Sequence, residues 1–127
     1  MIVMKFGGTS LQDAESIRRA VGIVKSHQDR QPLVVVSAIG STTKALLQLG
    51  DIALNDGVDA AITPLEDVAQ RHRDILKELN GASSGPSAED TISTHVRDIT
   101  RLLQGISLLQ ELTPRTQDAI ISHGERL

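Results

Sequence analysis

A lysine and two glycines near the start of the chain form the pattern with the clearest chemical meaning. Residues 2–4 are apolar and predict a buried strand, which Lys5 ends. Gly7 and Gly8 follow, and a helical pattern then begins at Leu11. Paired glycines permit backbone angles that are closed to other residues, so their N–H groups can approach a ligand closely. A helix N-terminus adds partial positive charge. Together with the Lys5 ammonium, these groups would form a cradle for a phosphate.

The same segment also has an ordinary structural interpretation. It contains neither the G-x-x-x-x-G-K-[ST] nor the G-x-G-x-x-G pattern of nucleotide-binding loops. A strand–Gly-Gly–helix connection is often only a tight turn, in which Lys5 extends to solvent. Ser10 would then be the N-cap of a helix over about residues 10–27, with Asp13 completing a capping-box variant. On spacing alone this structural interpretation is slightly favoured.

A second strand and turn follow about 35 residues into the chain. Residues 33–36 are apolar throughout and mostly β-branched, which predicts a strand buried on both faces of a parallel sheet. Strand, helix and strand then form a βαβ unit. Small and hydroxyl residues, among them Ser37 and Thr43, follow this strand. Since ligands collect at the carboxyl ends of parallel strands, the two turns should be neighbours at one edge. Helix capping is the alternative role for Thr42 and Thr43.

The end of the chain contains a third candidate. Gly124 interrupts a helical pattern that begins at Thr113 and Pro114, and it is followed by Glu125 and Arg126. Glycine inside a helix costs about 1 kcal/mol relative to alanine, which is reasonable where another backbone or a ligand comes close. The alternative is that Glu125 and Arg126 are ordinary solvated helix charges.

Composition excludes several classes of protein and site. The 127 residues suffice for one modest domain, and 39% hydrophobic and 23% charged residues indicate a globular chain. The net charge of −3 argues against a general nucleic-acid footprint. Cysteine is absent, which excludes disulfides and thiol chemistry and suits a reducing cytoplasm. No apolar segment is long enough to span a membrane, and the four histidines form no metal-binding pattern, so we predict no metal site on protein side chains.

Most of the remaining chain has helical periodicity. One helix should end near the turn signal of residues 55–57, and the next should start at Thr63 and Pro64 as N-cap and first residue. Residues 82–87 read as a Ser/Gly/Pro loop. The predicted stripes are Ala45, Leu46, Leu49 and Ala53; Leu65, Val68, Ala69, Leu76 and Leu79; Ile92, Val96, Ile99, Leu103 and Ile106; and Ile120, His123 and Leu127. Two strands are too few to bury so many helices, and the last pattern has no stop signal, so we expect the N-terminal piece of a longer chain.

Three motifs in this order resemble the aspartate kinases of the amino-acid kinase family. Residues 5–10 read K-F-G-G-T-S, residues 35–40 with the following Thr-Thr resemble V-V-S-A-x-G-x-T-T-N, and residues 122–125 match S-x-G-E. Lys44 departs from the family by replacing the usual asparagine. The resemblance spans the whole chain. It implies a three-layer αβα fold of the carbamate kinase-like type, of which residues 1–127 are a helix-rich, N-terminal portion. This would be an incomplete substrate-binding lobe, without the nucleotide lobe and the regulatory ACT domains.

By this resemblance, the reaction is ATP-dependent phosphorylation of the side-chain carboxylate of L-aspartate to 4-phospho-L-aspartate. That reaction opens lysine, threonine and methionine biosynthesis. Lys5 would be catalytic and neutralise the transferred phosphoryl group, and Mg²⁺ would arrive with ATP. The phosphates of ATP would be bound by residues of the first motif: Lys5, Phe6, Gly7, Gly8, Thr9 and Ser10. Ser37, Thr43 and Glu125 would bind aspartate, with Glu125 pairing with its α-amino group.

Other functions stay open at this point. A related kinase acting on glutamate or acetylglutamate is the nearest alternative, although T-S after the glycines and S-x-G-E favour aspartate. A non-catalytic helical docking or regulatory fragment is the alternative from another class, and residues 44–112 would suit it. For the full-length protein we expect a cytoplasmic homo-oligomer with no nucleic-acid or membrane partner. The 127-residue piece alone should be inactive.

Overall fold

The computed structural model describes residues 1–80 and 86–127, which contain two strands and five α-helices. The strands are β1 (Ile2–Phe6) and β2 (Pro32–Val36), and 3-10 turns occupy Gly8–Leu11 and Gln28–Arg30. The helices are α1 (Ala14–Lys25), α2 (Thr42–Asn55), α3 (Val58–Asn80), α4 (Pro86–Leu109) and α5 (Pro114–Gly124). Among the described residues, no helix is both long and apolar enough to cross a bilayer.

The two strands pair in parallel, as the sequence predicts. Ile2 is paired with Pro32 and Phe6 with Val36, so both strands end at the same edge of the sheet. The predicted burial of β2 on both faces is wrong, because Leu33 is 55% and Val36 57% exposed. β2 has a single hydrogen-bonded neighbour in the described structure, and the helices that follow pack mainly on one another.

The first α-helix begins later than the spacing predicts. A 3-10 turn, Gly8–Leu11, separates the glycines from α1, which starts at Ala14. Asp13, and not Ser10, is the N-cap, since its carboxylate accepts a 2.8 Å hydrogen bond from the backbone N–H of Ser16. The positive end of α1 therefore lies one turn away from the glycines. Any amide donors at Gly7 and Gly8 belong to the 3-10 turn.

The core of the chain is formed by helices α2 to α5, and it confirms the predicted stripes on α2 and α4. Each helix contributes apolar side chains that are almost fully buried. They are Leu46, Leu49, Ala53, Ala61, Leu65, Val68, Ile99, Leu103, Ile106 and Ile120. A two-stranded sheet is too small to cover the apolar stripes of so many helices, and the helices bury these stripes against one another instead.

Among the helices after α1, the predicted start of α3 is wrong and two other predicted boundaries are confirmed. α3 begins at Val58 and continues through Pro64, although proline cannot donate to the residue 60 carbonyl. Ala61 and Leu65 lie on the same buried stripe, so core packing on both sides of the proline favours one helix. The turn at residues 55–57 is confirmed, with Gly57 at φ +89°, and so is the Thr113 cap.

The ends of two further segments also differ from expectation. The last predicted helix was expected to include Leu127, but α5 ends at Gly124. Leu127 lies beyond the helix, and its N–H donates to the carbonyl of His123 in the last turn. The predicted loop 82–87 lies mostly outside the described residues, and α4 already begins at Pro86.

One buried imidazole makes the stability of the helical core depend on pH. His72 on α3 is 4% exposed, and its Nδ1 donates to the Val68 carbonyl at 2.8 Å. Its Nε2 has no hydrogen-bond partner among residues 1–80 and 86–127. Burial lowers the pKa of His72, because the charged form loses its hydration.

We expect the free energy of unfolding to fall with acidification through this histidine. The unfolded chain binds the proton near the ordinary pKa of about 6.5 and the folded chain only at lower pH. The stabilisation from neutral His72 is therefore complete above about pH 6.5 and is lost as pH falls towards the pKa of the folded chain. Each pH unit between the unfolded and the folded pKa removes about 1.4 kcal/mol from the free energy of unfolding. When pH is lowered from about 7.5 to about 5.5, the free energy of unfolding in urea should fall less for His72→Leu than for wild type. Parallel curves for the two proteins would contradict the assignment.

Candidate functional site

The turns that follow β1 and β2 are joined directly through their backbones. The Gly40 N–H donates to the Gly8 carbonyl at 3.1 Å, and the Ser37 N–H donates to the Phe6 carbonyl at 3.1 Å. A Cβ atom on Gly8 would lie 2.9 Å from the Gly40 oxygen and 3.1 Å from the Ala38 oxygen. Only glycine therefore fits at position 8. The predicted meeting of the two turns at one edge of the sheet is confirmed.

Lys5 is placed at the first of these turns. Its Nζ atom lies 3.7 Å from the position that a Cβ atom on Gly7 would occupy, so the ammonium lies close to the glycine backbone. The side chain is exposed, so the ammonium can reach a ligand. In addition, the first N–H groups of a 3-10 turn have no partner inside the turn. This arrangement matches the donor set that a phosphate requires.

Glu125 reaches the end of β2 from the far end of the chain. Its Oε2 accepts a 3.2 Å hydrogen bond from the Ala38 N–H, which joins residues separated by 87 positions. Ser37 and Glu125 line the same cleft, of about 320 Å³, between the end of β2 and the end of α5. The second carboxylate oxygen keeps its capacity to accept from a cationic donor. The structure therefore brings these two predicted substrate-binding residues together.

Close helix packing explains the glycine before this carboxylate. A Cβ atom on Gly124 would lie 2.9 Å from Leu46 Cδ1, 3.4 Å from Thr42 Cγ2 and 3.8 Å from Ala38 Cβ. The absence of a side chain lets α5 approach the start of α2. This approach brings Glu125 within reach of the Ala38 amide.

The hydroxyl residues of the motifs occupy different positions. Thr9 and Ser10 are exposed on the 3-10 turn and, with Phe6, line a second cavity of about 360 Å³. Thr42 is buried and donates to the Ile39 carbonyl at 2.6 Å. Thr43 is exposed in the first turn of α2 and does not line the cleft of Ser37 and Glu125. The N-cap of α2 is Ser41, so neither threonine has the capping role that was the alternative.

A pair of histidines fixes the end of α5 to α4. The Nδ1 atoms of His95 and His123 lie 2.8 Å apart, and the rings meet edge to face at 71°. One Nδ1 must carry a hydrogen and the other accept it, since two lone pairs would repel. Burial lowers the pKa of both histidines, and the charge of Arg126 lowers them further. The neutral pair therefore anchors the helix end that precedes Glu125.

One residue at the site has no counterpart in the sequence motifs. Arg71 lies in the middle of α3, and its guanidinium bonds to Ser41 and to the Gln12 carbonyl. Arg71 lies 30 residues after Ser41, and no pattern in the sequence predicts their contact. The contact depends on how α3 packs against the two turns.

The chain is similar to known proteins in both sequence and structure. The sequence profile of the amino acid kinase family matches residues 1–127. In structure the chain is similar to Escherichia coli aspartokinase III, solved in complex with aspartate and ADP in the R-state. The TM-score is 0.80 at 31% sequence identity, over 98% of this chain and 26% of that one. The predicted fold class, the helix-rich N-terminal portion of the amino-acid kinase fold, is confirmed.

Two relatives show the same similarity in sequence. Aspartokinase 2, chloroplastic, of Arabidopsis thaliana is 37% identical over 97% of this chain. The aspartokinase of Chlamydia trachomatis serovar D is 33% identical over 99% of this chain. The chain spans 22% and 25% of the length of these two relatives, respectively.

Proposed function

Because the chain belongs to the amino acid kinase family, we propose that it is the N-terminal part of an aspartate kinase catalytic domain. The reaction is transfer of the γ-phosphoryl group of ATP to the side-chain carboxylate of L-aspartate, giving 4-phospho-L-aspartate for lysine, threonine and methionine synthesis. The single observation that carries this proposal is the convergence of Glu125, Ser37 and the glycine turn at one edge of the sheet.

The chemistry requires two anions to approach each other. The aspartate carboxylate is already a nucleophile, so alignment and charge compensation supply the catalysis. Lys5 would stabilise negative charge on the transferred group, with the amides of Gly7 and Gly8 beside it. Thr9 and Ser10 would shape this turn, and Mg²⁺ would be carried by the nucleotide. Phe6 ends β1 and so sets where the turn begins.

The acceptor substrate would lie at the end of β2. Ser37 and Thr43 would donate hydrogen bonds to it, and Glu125 would accept from its α-amino group. Of these three residues, Ser37 and Glu125 line the same cleft in the described structure and Thr43 does not. The geometry therefore supports substrate binding by Thr43 least.

The direct test is an acyl-phosphate assay of the complete protein. Hydroxylamine traps the product, and aspartate, glutamate and acetylglutamate are compared with Mg-ATP. We expect hydroxamate with aspartate and at most traces with the others. If hydroxamate forms with glutamate or acetylglutamate instead, the protein would be a kinase for that amino acid. No product from any of them would favour the non-catalytic alternative. The 127-residue chain alone should show no turnover and weak or no binding of Mg-ATP in calorimetric titration.

Glu125→Gln in the complete protein separates substrate binding from fold. Glutamine keeps an oxygen for the Ala38 N–H and removes the charge that would pair with the substrate ammonium. A hydrogen bond to a charged group is worth about 1.5–3 kcal/mol, so the KM for aspartate should rise about 10-fold to 100-fold. The KM for ATP and kcat should change little.

The matched control for that variant is Asp118→Asn. This carboxylate is exposed on α5, the helix that Glu125 directly follows, and it does not line the cleft. It loses the same charge and should leave the KM for aspartate unchanged. An unaltered aspartate KM in Glu125→Gln would remove Glu125 from substrate binding.

A further inference from the structure

The guanidinium of Arg71 connects the two turns that form the candidate site. Its Nη1 donates to Ser41 Oγ at 3.1 Å, directly after the second turn. Its Nη2 donates to the Gln12 carbonyl at 3.3 Å, directly after the 3-10 turn of the glycines. A single planar group on α3 therefore holds both segments at a fixed separation.

The second turn is shaped to receive this guanidinium. Gly40 has φ +52°, a left-handed conformation that other residues seldom adopt. A Cβ atom there would lie 2.8 Å from Arg71 Nη2 and 3.4 Å from its Cζ. Glycine at position 40 thus allows both the turn and the close approach of Arg71.

The groups that Arg71 contacts are polar but uncharged, namely the Ser41 hydroxyl and the Gln12 carbonyl. Within residues 1–80 and 86–127, no carboxylate lies within ion-pair distance of it. Its neighbour Arg73 is different, since it pairs with Glu89 at 2.7 Å and with Glu66 at 3.6 Å. The acceptors of Arg71 are one carbonyl and one hydroxyl, which fits a role in holding backbone segments together.

From this geometry we infer that Arg71 is a positioning residue that sets the distance between the phosphate-binding turn and the acceptor-binding turn. The inference rests on the proposed function. The first turn carries the groups proposed for ATP phosphates, and the second those proposed for aspartate. Loss of Arg71 should therefore affect the alignment of the two substrates more than the binding of either one. A misplacement of about 1 Å can cost about 100-fold in rate.

The test uses Arg71→Met and Arg71→Lys in the complete protein. Arg71→Met keeps much of the aliphatic stem and removes both donors. Its kcat should fall about 10-fold to 100-fold, with both KM values changed less than about threefold. Lysine has a compact ammonium and cannot span two acceptors as a fork, so Arg71→Lys should restore only part of kcat. Added guanidinium ion at millimolar concentration should partly restore kcat in Arg71→Met and leave wild type unchanged.

Lys77→Met is the matched control, because it removes one exposed cation from the same helix. It should retain the wild-type kcat. A kcat for Arg71→Met equal to that of wild type, or a loss shared equally by Lys77→Met, would overturn the inference. A large rise in one KM with kcat unchanged would also overturn it, since that would make Arg71 a ligand for one substrate.

A readout without activity distinguishes this inference from the proposed function. In hydrogen–deuterium exchange, amides in residues 7–12 and 37–41 should exchange faster in Arg71→Met, while those of α2 to α5 keep their protection. If wild type proves to have no kinase activity, faster exchange in Arg71→Met would still support the structural link, and only the aspartate kinase proposal would be rejected. Unchanged exchange in both turns would overturn the link itself.

Discussion

Replacing Lys5 with alanine in the complete protein is expected to lower kcat about 100-fold to 1,000-fold. The ammonium lies close to the Gly7 backbone at the end of β1, where the transferred phosphoryl group is proposed to pass. A positioned donor that meets developing charge is worth this much in other enzymes. The effect should fall on kcat more than on KM, since the charge is needed most in the transition state. Steady-state kinetics with aspartate and Mg-ATP measure both parameters.

Lys25→Ala is the control for a general loss of positive charge. Lys25 is exposed in the last turn of α1, at the opposite end of that helix from the glycine turn. Its removal should leave kcat unchanged. Near-normal turnover in Lys5→Ala would exclude Lys5 from the mechanism, whatever the outcome for the other residues.

Adding one methyl group at Gly8 is expected to have the second large effect. Its Cβ would lie 2.9 Å from the Gly40 oxygen and 3.1 Å from the Ala38 oxygen, and both atoms are backbone. The second turn would have to move away, at the expense of the 3.1 Å bond from Gly40 to Gly8. Overpacking of this kind costs about 1–3 kcal/mol of stability. The displacement should lower kcat/KM about 100-fold.

Gly22→Ala is the matched control for this substitution. Gly22 lies in α1, and a Cβ atom there would meet nothing within 4 Å. Alanine should stabilise the helix by about 1 kcal/mol and leave activity unchanged. Kinetics are compared at a temperature where both variants are folded, as judged by circular dichroism. Wild-type kcat/KM in folded Gly8→Ala would show that the close approach of the two turns is irrelevant to function.

Local sequence signals predicted the parts of the fold that depend on local physics. The parallel pair, the turn at Gly57 and the Thr113 cap follow from β-branched runs and from residues with special backbone preferences. The stripes of α2 and α4 follow from helical periodicity. Pro64 misled the prediction of α3, because burial of Ala61 and Leu65 on either side outweighs one missing hydrogen bond.

The candidate site shows a similar division. The motifs identified Lys5, Gly8, Ser37 and Glu125 as candidates, and the structure brings Ser37 and Glu125 into one cleft. Periodicity cannot reveal that the Glu125 carboxylate accepts from the Ala38 amide, since that contact depends on how α5 packs on α2. Arg71 was missed for the same reason. Its chemistry is evident only once α3 is placed across both turns.

The separation of Glu125 from the two turns along the chain has a consequence for the order of assembly. The bond between Gly40 and Gly8 and the pairing of β1 with β2 involve only the first 40 residues. Glu125 follows four further helices, α2 to α5, along the chain. During synthesis on the ribosome, the chain would therefore complete the glycine cradle first. Glu125, the proposed contact for the α-amino group of aspartate, would join the site later.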